Sequence, residues 1–178
     1  MKLKPPAIYE CQEVREWRNQ AMSSLRTSFP LTEEMQDDFF IETVCNRNAP
    51  HRYFSIVDGR LVAFGGITNI EWENGIGEIS LIVNPELHRN GIGSDAVKLL
   101  LDYAFNTLNL NTVYGECYLC SDAHLFWRSV THQYNAFIAL LPARKYWAGQ
   151  FWDSLYFSIS REGFENGHNQ IHATVHET

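Results

Sequence analysis

Two hydrophobic periodicities alternate along this chain and predict a fold that mixes helices and strands. Residues 94–108 carry apolar side chains at helical spacing, with charged side chains on the opposite face. Other runs alternate apolar and polar positions, or are short and apolar, as strands are. The predicted helices are 10–24, 32–44, 94–108 and 121–130, and the predicted strands are 52–57, 60–70, 77–83, 112–119, 136–141 and 154–160.

Turn residues indicate how these elements are connected. Asp58-Gly59 is a favoured two-residue hairpin turn, and Asn74-Gly75 marks a second turn. The first three strands therefore form an antiparallel meander. Residues 77–119 form a β-loop-α-β unit whose two strands are expected to be parallel. The pattern predicts an α/β (α+β) fold with a mixed, mostly antiparallel central sheet and flanking helices.

The second predicted helix has a clear start. Thr32 is the expected N-cap, and the two glutamates that follow suit the positive end of the helix dipole. The apolar stripe of this helix is expected to contain Met35, Phe39, Phe40 and Val44.

A polar loop with two glycines, Gly91 and Gly93, connects the third strand to the long helix. Successive N–H groups of such a loop point at one spot, and the helix dipole adds partial positive charge there. A side chain at either glycine would hinder the approach of the backbone to a phosphate. The stretch therefore predicts a phosphate-binding loop.

Composition narrows the classes of protein. The 178 residues suit one domain, 1–164, followed by a polar and flexible tail, 165–178. A net charge of −7 argues against nucleic acid and anionic membranes as partners. No apolar run is long enough to span a bilayer, and no secretory signal begins the chain. Four cysteines without such a signal are typical of reduced thiols, which predicts a cytoplasmic protein.

Two groups of potential metal ligands occur in the sequence, and neither favours a metal. Cys117 and Cys120 have the spacing of half a zinc site, but no second pair stands at a suitable distance, and a strand would put them on opposite faces. In the tail, His168, His172 and His176 are spaced four apart, as on one helical face. The simpler interpretation is a polar end without a helix.

The order of elements, and above all the stretch Val83-Asn84-Pro85-Glu86-Leu87-His88-Arg89-Asn90-Gly91-Ile92-Gly93, resembles the GNAT superfamily of acyl-CoA N-acyltransferases. The resemblance covers most of residues 10–164. In that family a Gln/Arg-x-x-Gly-x-Gly/Ala loop holds the coenzyme A pyrophosphate, and the strand before it pairs with the pantetheine arm. The resemblance implies acetyl-CoA as cofactor. The implied cofactor-binding residues are Leu81, Ile82, Val83, His88, Arg89, Asn90, Gly91, Ile92, Gly93, Ser94 and Trp127.

The chain departs from the family at the residue that protonates the leaving thiolate. The family often has Asn-x-x-Ala-x-x-x-Tyr after the fifth strand, where this chain has Cys120 and Trp127. An indole cannot serve as a practical acid, so another residue or solvent must protonate the thiolate; Tyr118 and Tyr134 are candidates. Within the superfamily, Trp17-Arg18-Asn19 and residues 91–110 resemble the branch that acetylates protein N-termini and nucleotide-linked amino sugars.

The chemistry predicts roles for four further residues. Acyl transfer requires a neutral amine, and Glu78 is the candidate base, on the same strand face as Ser80, which could position a water. A solvated glutamate with a water chain as base is the alternative. Arg18 and Arg26 are candidates for the acceptor cleft, where an anionic substrate would bind them; surface charge is the other interpretation.

The leading hypothesis is direct acetyl transfer from acetyl-CoA to a primary amine. The acceptor is expected to be a small molecule, such as an amino sugar or its nucleotide derivative, or else a protein N-terminus. A homodimer is compatible with this function. The alternative is an acyl-CoA-binding sensor or assembly domain with little catalysis.

Overall fold

The computed structural model describes residues 1–167, which form one seven-stranded sheet with helices on both faces. The strands are β1 Lys2–Lys4, β2 Arg52–Asp58, β3 Arg60–Glu71, β4 Ile76–Val83, β5 Thr112–Tyr118, β6 Phe137–Trp147 and β7 Gln150–Ser160. The helices are α1 Ile8–Gln20, α2 Glu33–Phe39, α3 Ile92–Asp102 and α4 Ala123–Gln133. A π turn extends α2 to Val44 and another extends α3 to Thr107. The strand order is β1-β2-β3-β4-β5-β7-β6, and only β4 and β5 are parallel.

The two faces of the sheet have separate hydrophobic cores. The larger core lies under α3, where Val97, Leu100 and Leu101 pack among residues such as Ile79 and Val113. The smaller core lies under α1. Its members are Cys11, Val14, Trp17, Leu61 and Phe64. Period-two alternation decides which side chains of each strand enter which core.

The parallel pair opens into a gap after its first three residues. β4 pairs with β5 only from Ile76 to Glu78, opposite Thr112 to Tyr114. Beyond that point β4 continues along β3, and β5 continues along β7. The outer edge of β4 from Ile79 to Val83 therefore faces an opening between the two strands, called here the β4–β5 opening.

The mixed, mostly antiparallel sheet and the parallel β-loop-α-β unit are confirmed, and Phe39, Phe40 and Val44 pack on the smaller core as predicted, but Met35 was wrongly placed in that stripe. Thr32 Oγ1 accepts a hydrogen bond from the Met35 amide at 3.3 Å, as a cap should. Met35 itself is 47% exposed, while Gln36 beside it is buried. The short α2 turns its polar glutamine inward because the apolar stripe continues through Phe39 and Phe40, one turn later on Gln36's side.

The last two strands are much longer than predicted. They run to a tight turn at Ala148 and Gly149, where both residues have positive φ. Pro142 hid the continuation of β6, since proline is uncommon inside strands. The structure accommodates it at a register shift between Leu141 and Lys145.

Two ends of the chain add structure that the pattern did not predict. β1 pairs with β2, and Lys4 forms an ion pair with buried Glu10 at 2.8 Å. At the other end, residues 161–167 are helical, so regular structure passes the expected domain boundary at Phe164. The division into domain and tail stays a prediction, and His168, His172 and His176 lie outside the described residues. No helix within residues 1–167 has the length and hydropathy that a membrane span requires.

Candidate active site

The glycine loop is built by two local features, a capped turn and a left-handed cap. The Asn84 side chain accepts a hydrogen bond from the Glu86 amide at 3.0 Å, which fixes the 3₁₀ turn that ends β4. Gly91 then takes a φ of +79° and becomes the N-cap of α3, a conformation that favours glycine. No side chain caps this helix end. The N–H groups of its first turn therefore remain available to an anion.

The side chains of the loop lie at the surface. His88, Arg89 and Asn90 are exposed, and Arg89 has a φ of +65°. His88 Nε2 lies 3.3 Å from the Val83 carbonyl, so the histidine turns back onto β4. Arg89 is therefore the loop side chain that can add positive charge for a bound phosphate.

Gly93 is required for packing as well as for its position in the loop. A Cβ at Gly93 would lie 3.1 Å from the Phe126 ring of α4. The absence of a side chain lets α4 approach the first turn of α3. The second glycine thus brings the two helices together at this loop.

The β4–β5 opening and the loop fit a long ligand that ends in phosphates. The edge of β4 between Ile79 and Val83 has no strand partner on the β5 side. Such an edge pairs readily with an extended amide-containing chain. The uncapped start of α3 supplies the anion site at the end of this edge. Leu81, Ile82 and Val83, with the loop residues, are therefore suitably arranged for coenzyme A.

Glu78 lies where β4 and β5 separate, and both oxygens of its carboxylate accept hydrogen bonds. The residue is 6% exposed. Its carboxylate accepts hydrogen bonds from Arg26 Nη1 at 3.1 Å and Nη2 at 2.5 Å, and from Asn69 Nδ2 at 2.7 Å. The bond to Glu78 raises the pKa of Arg26 above its ordinary value. A proton donor that approaches Glu78 would therefore compete with this guanidinium for the carboxylate oxygens.

A second carboxylate, Glu116, faces the same side from β5. Arg144 Nε and Ser154 Oγ donate to it at 3.0 and 2.6 Å, and Arg26 Nη2 lies 3.6 Å away. Burial alone would raise the pKa of Glu116, but these bonds outweigh burial and lower it. Arg26 therefore spans the β4–β5 opening, with one carboxylate on each strand.

Lys145 of β6 holds the segment that carries Arg26. Its ammonium donates to the carbonyls of Met22 and Leu25 and to Ser28 Oγ. The same ammonium lies 5.0 Å from the centre of the Tyr118 ring. Burial lowers the pKa of Lys145. The segment 22–28 is thus anchored across the opening by a distant strand.

The two candidate tyrosines have different positions. Tyr118 ends β5 on the face of Glu116, and its hydroxyl interacts with Arg26. Burial raises the pKa of Tyr118, which favours the protonated hydroxyl. Tyr134 instead follows α4 at 2% exposure and stacks on Phe164 at 6.1 Å. Because its ring is part of the core, the structure gives no support to Tyr134 as the acid.

Three further predicted residues lie on or near the opening in different ways. Ser80 is half-buried on β4 opposite Gly66, on the face of Glu78. Arg18 lies on α1 with its guanidinium 6.0 Å from the Phe39 ring. Trp127 stacks on Phe157 at 4.8 Å and so packs α4 on the sheet. Contact of Trp127 with the cofactor stays a prediction.

Sequence reasoning did not identify Glu116, Lys145 or Asn69. Alternation over Tyr114, Glu116 and Tyr118 could have indicated that these side chains share a face. The partnership of Lys145 with the 22–28 segment had no signal, because more than a hundred residues separate them.

The cysteine pair does not form a ligand cluster. Cys117 is buried in the sheet, which raises the pKa of its thiol to about 12. Cys120 donates to the Ser23 carbonyl at 3.1 Å. Within the described part of the chain, no three histidine, cysteine or acidic side chains are grouped as metal ligands.

Proteins of known structure share this fold. Spermidine N-acetyltransferase from Vibrio cholerae, in complex with CoA and spermine, superposes with a TM-score of 0.81 at 15% identity, over 92% of this chain and 96% of that one. A dodecameric form of the Vibrio cholerae enzyme gives a TM-score of 0.76 at 15% identity, over 92% and 95% of the two chains. At this identity the likeness concerns the fold. No curated protein matches by sequence.

A family model settles what the fold alone leaves open. The model of the acetyltransferase (GNAT) domain matches residues 1–119, which is about two thirds of the chain. These residues include the whole of β4, the glycine loop, α3 and β5. The chain therefore belongs to the GNAT family of acetyl-CoA-dependent N-acetyltransferases.

Proposed function

We propose that this protein transfers the acetyl group of acetyl-CoA directly to the primary amine of a small molecule, without a covalent enzyme intermediate. The supporting observation is the β4–β5 opening, which has the glycine loop at one end and Glu78 at the other. This arrangement provides a groove for the cofactor that leads to a buried carboxylate.

The chain's own backbone would hold the cofactor. Amides of β4 between Leu81 and Val83 would pair with the pantetheine arm, and those of Ile92, Gly93 and Ser94 would bind its phosphates. Bound acetyl-CoA supplies an activated acetyl group. A β4 amide that points into the opening would also stabilise negative charge on the acetyl oxygen.

Glu78 accepts the proton of the acceptor amine. An alkyl ammonium with a pKa of about 10.4 is neutral in roughly one molecule in 2,500 at pH 7, a deficit of about 4.6 kcal/mol. Entry of the acceptor shifts Arg26 toward Glu116, which already lies 3.6 Å from it. The freed oxygen of Glu78 then takes the proton, directly or through a water held by Ser80.

Tyr118 donates the proton that the leaving thiolate needs. Its protonated hydroxyl lies at the end of β5, beside the opening, and Arg26 is within reach of it. The residue at the usual family position cannot donate this proton, because it is Trp127, whose indole stacks on Phe157.

A polyamine is the second candidate acceptor. Spermidine and spermine are named for the Vibrio cholerae structures, and Glu78 and Glu116 could attract a cation. In this chain, however, both carboxylates already pair with arginines. An amino sugar derivative remains within the proposal, and a protein N-terminus is a further candidate acceptor.

Self-association belongs to the same proposal. β6 is an edge strand, and its hairpin with β7 exposes large apolar side chains. They are Phe137, Ile138, Leu140, Tyr146 and Phe151. A second copy of the chain could cover them in a homodimer. A cytoplasmic location, in keeping with the four free cysteines, is also part of the proposal.

A panel of amines tests the proposal. The purified protein is incubated with acetyl-CoA and single primary amines, and thiol release is measured together with the mass of the product. We expect acetylated amine and free thiol in equal amounts for at least one small amine. Binding of coenzyme A without thiol release across the panel would contradict the proposal and favour a sensor domain.

A further inference from the structure

Arg18 is a cation that the protein buries in part without neutralising it. It lies on the inner side of α1, one residue after the core residue Trp17, and its guanidinium faces the Phe39 ring at 6.0 Å. Its Nε is out of contact with solvent and has no hydrogen-bond partner among residues 1–167. None of the ion pairs in this part of the chain includes Arg18.

Other arginines near this site are satisfied. Arg26 and Arg144 pair with Glu78 and Glu116. Arg15, one turn before Arg18 on the same helix, donates to Gln12 and to the Leu31 carbonyl. Burial lowers the pKa of Arg18, because no carboxylate of the described residues offsets the cost of partly burying its charge. The contrast indicates that a partner of Arg18 comes from outside the chain.

Arg18 is close to the acceptor side of the opening. It interacts electrostatically with Tyr53, which in turn interacts with Glu78 and Arg26. Tyr53 lies opposite Gly66, and Gly66 lies opposite Ser80. Tyr53 and Ser80 therefore point to one face, about 10 Å apart across two strand spacings. A small molecule at Glu78 and Ser80 can reach from the opening toward Arg18.

The charges around the opening favour an anion at this position. The two buried carboxylates, Glu78 and Glu116, are matched by Arg26 and Arg144. The Lys145 ammonium is enclosed by carbonyl and hydroxyl oxygens. Arg18 has no ion-pair partner among the described residues, so the acceptor side carries an excess of positive charge.

We propose that Arg18 binds an oxyanion of the acceptor, so that the substrate is a primary amine that also carries a carboxylate or phosphate group. This inference rests on the acetyl transfer proposed above. It separates this chain from an enzyme for polycationic amines, because a second ammonium near Arg18 would be repelled.

Direct binding tests the inference without turnover. Calorimetry with coenzyme A present compares two matched pairs: O-phosphoethanolamine with ethanolamine, and β-alanine with β-alaninamide. We expect the anionic member of at least one pair to bind about tenfold to a hundredfold more tightly, as a charge-assisted bond implies. The pair that shows the stronger preference for its anionic member indicates whether Arg18 binds a phosphate or a carboxylate. Equal binding within both pairs, or tighter binding of spermidine, would overturn the proposal.

Variants assign the preference to Arg18. In Arg18→Met the preference should disappear, and in Arg18→Lys part of it should return. Arg15→Met, on the same helix, should keep it. The Arg18→Met protein should also melt at an equal or higher temperature, because an unpaired buried charge is removed. A large fall in melting temperature with an intact anion preference would mean a structural role and overturn the proposal.

The two proposals can fail separately. If an anionic amine binds through Arg18 but is never acetylated, the site stands and the acetyl transfer fails. If a neutral amine is acetylated with the same efficiency as its anionic counterpart, the proposed acetyl transfer stands and the proposed role of Arg18 fails.

Discussion

At the scale of residues, one guanidinium connects the two carboxylates beside the β4–β5 opening. Arg26 binds Glu78 through two hydrogen bonds and lies 3.6 Å from Glu116 on the other strand. Its side chain is 57% exposed, so it can move without opening the core. In the structure the proposed base is therefore covered by a guanidinium that an entering acceptor would have to displace.

Replacing Glu78 with Gln should lower kcat by about a hundredfold near neutral pH, because the acceptor amine loses its proton acceptor. The deficit should shrink as pH rises, since more of the amine is then neutral without help. Steady-state rates between pH 6 and about 10 measure this deficit. Glu71→Gln, at the exposed end of β3, is the control. A deficit that is constant with pH would reject Glu78 as the base.

Replacing Tyr118 with Phe should reduce kcat by about tenfold to a hundredfold, because the hydroxyl that protonates the thiolate is removed. The affinity for coenzyme A, measured by calorimetry, should change little. Tyr114→Phe is the matched control on the same face of β5. Full activity of Tyr118→Phe together with a loss in Tyr134→Phe would contradict the assignment and favour Tyr134 as the acid.

At the scale of elements, the start of α3 and the end of β4 together form the proposed binding unit for the cofactor. Gly91 at φ +79° is the N-cap of α3, and no side chain caps the first amides of this helix. Gly93 allows α4 to close against the same turn. The unit is assembled from consecutive residues, which makes it sensitive to single backbone changes.

Replacing Gly91 with Ala should weaken coenzyme A binding about tenfold, because a left-handed conformation costs an L-residue about 1–2 kcal/mol and the loop relaxes away from it. Gly59→Ala is a matched control. Gly59 also has a positive φ, +71°, and open space around it, but it lies in the β2–β3 turn. Both variants should lose similar stability, and only Gly91→Ala should lose affinity. Equal affinities would contradict a role of the loop amides.

The contact between β1 and α1 predicts a pH dependence of stability. Burial raises the pKa of Glu10, but bonds from Lys4, the Ala7 amide and Ser55 outweigh it, so the pKa lies below its ordinary value of 4.5. A lowered carboxyl pKa stabilises the fold above the unfolded value and loses this contribution as pH falls through the folded value.

Glu10→Gln should therefore unfold at a lower temperature near neutral pH and show a smaller further decrease below about pH 4.5 than the original chain. Thermal melts across pH measure this. Glu13→Gln, exposed on the same helix, is the control. Parallel curves for Glu10→Gln and the original chain would contradict the assignment.

These elements also indicate what a sequence can predict. The glycine loop and its helix were predictable because their residues are consecutive and the pattern is local. The pairing of Lys145 with the 22–28 segment, and of Arg26 with two strands, depends on tertiary contacts that no local pattern records. The burial of Tyr134 had no local signal either, since its position after α4 does not reveal that its ring lies in the core. Pro142 concealed half of β6 because a bulge in an edge strand tolerates it.

At the scale of the whole molecule, the two faces of the sheet differ in polarity. One face, under α3 and α4, is a continuous apolar core. The other has the smaller core under α1 and also carries the charged groups around the opening. The sheet ends in β6, whose edge is long and apolar. This edge is the natural place for a second copy to add to the fold.

Light scattering after size-exclusion chromatography should therefore give a mass of about twice the 20.6 kDa of one chain. Leu140→Lys, in the exposed part of β6, should shift the mass to a single chain. Ile41→Lys, equally exposed at the end of α2, should not. A single-chain mass for the original protein would reject the β6 interface.

The central claim is that acetyl transfer is direct and takes place in the β4–β5 opening. Its most direct measurement follows an isotope-labelled acetyl group from acetyl-CoA by mass spectrometry of both the acceptor and the intact protein. The account predicts label on the amine in proportion to thiol released, and an unlabelled protein at every time, including when the acceptor is withheld. Label that accumulates on the protein and then passes to the amine would contradict it.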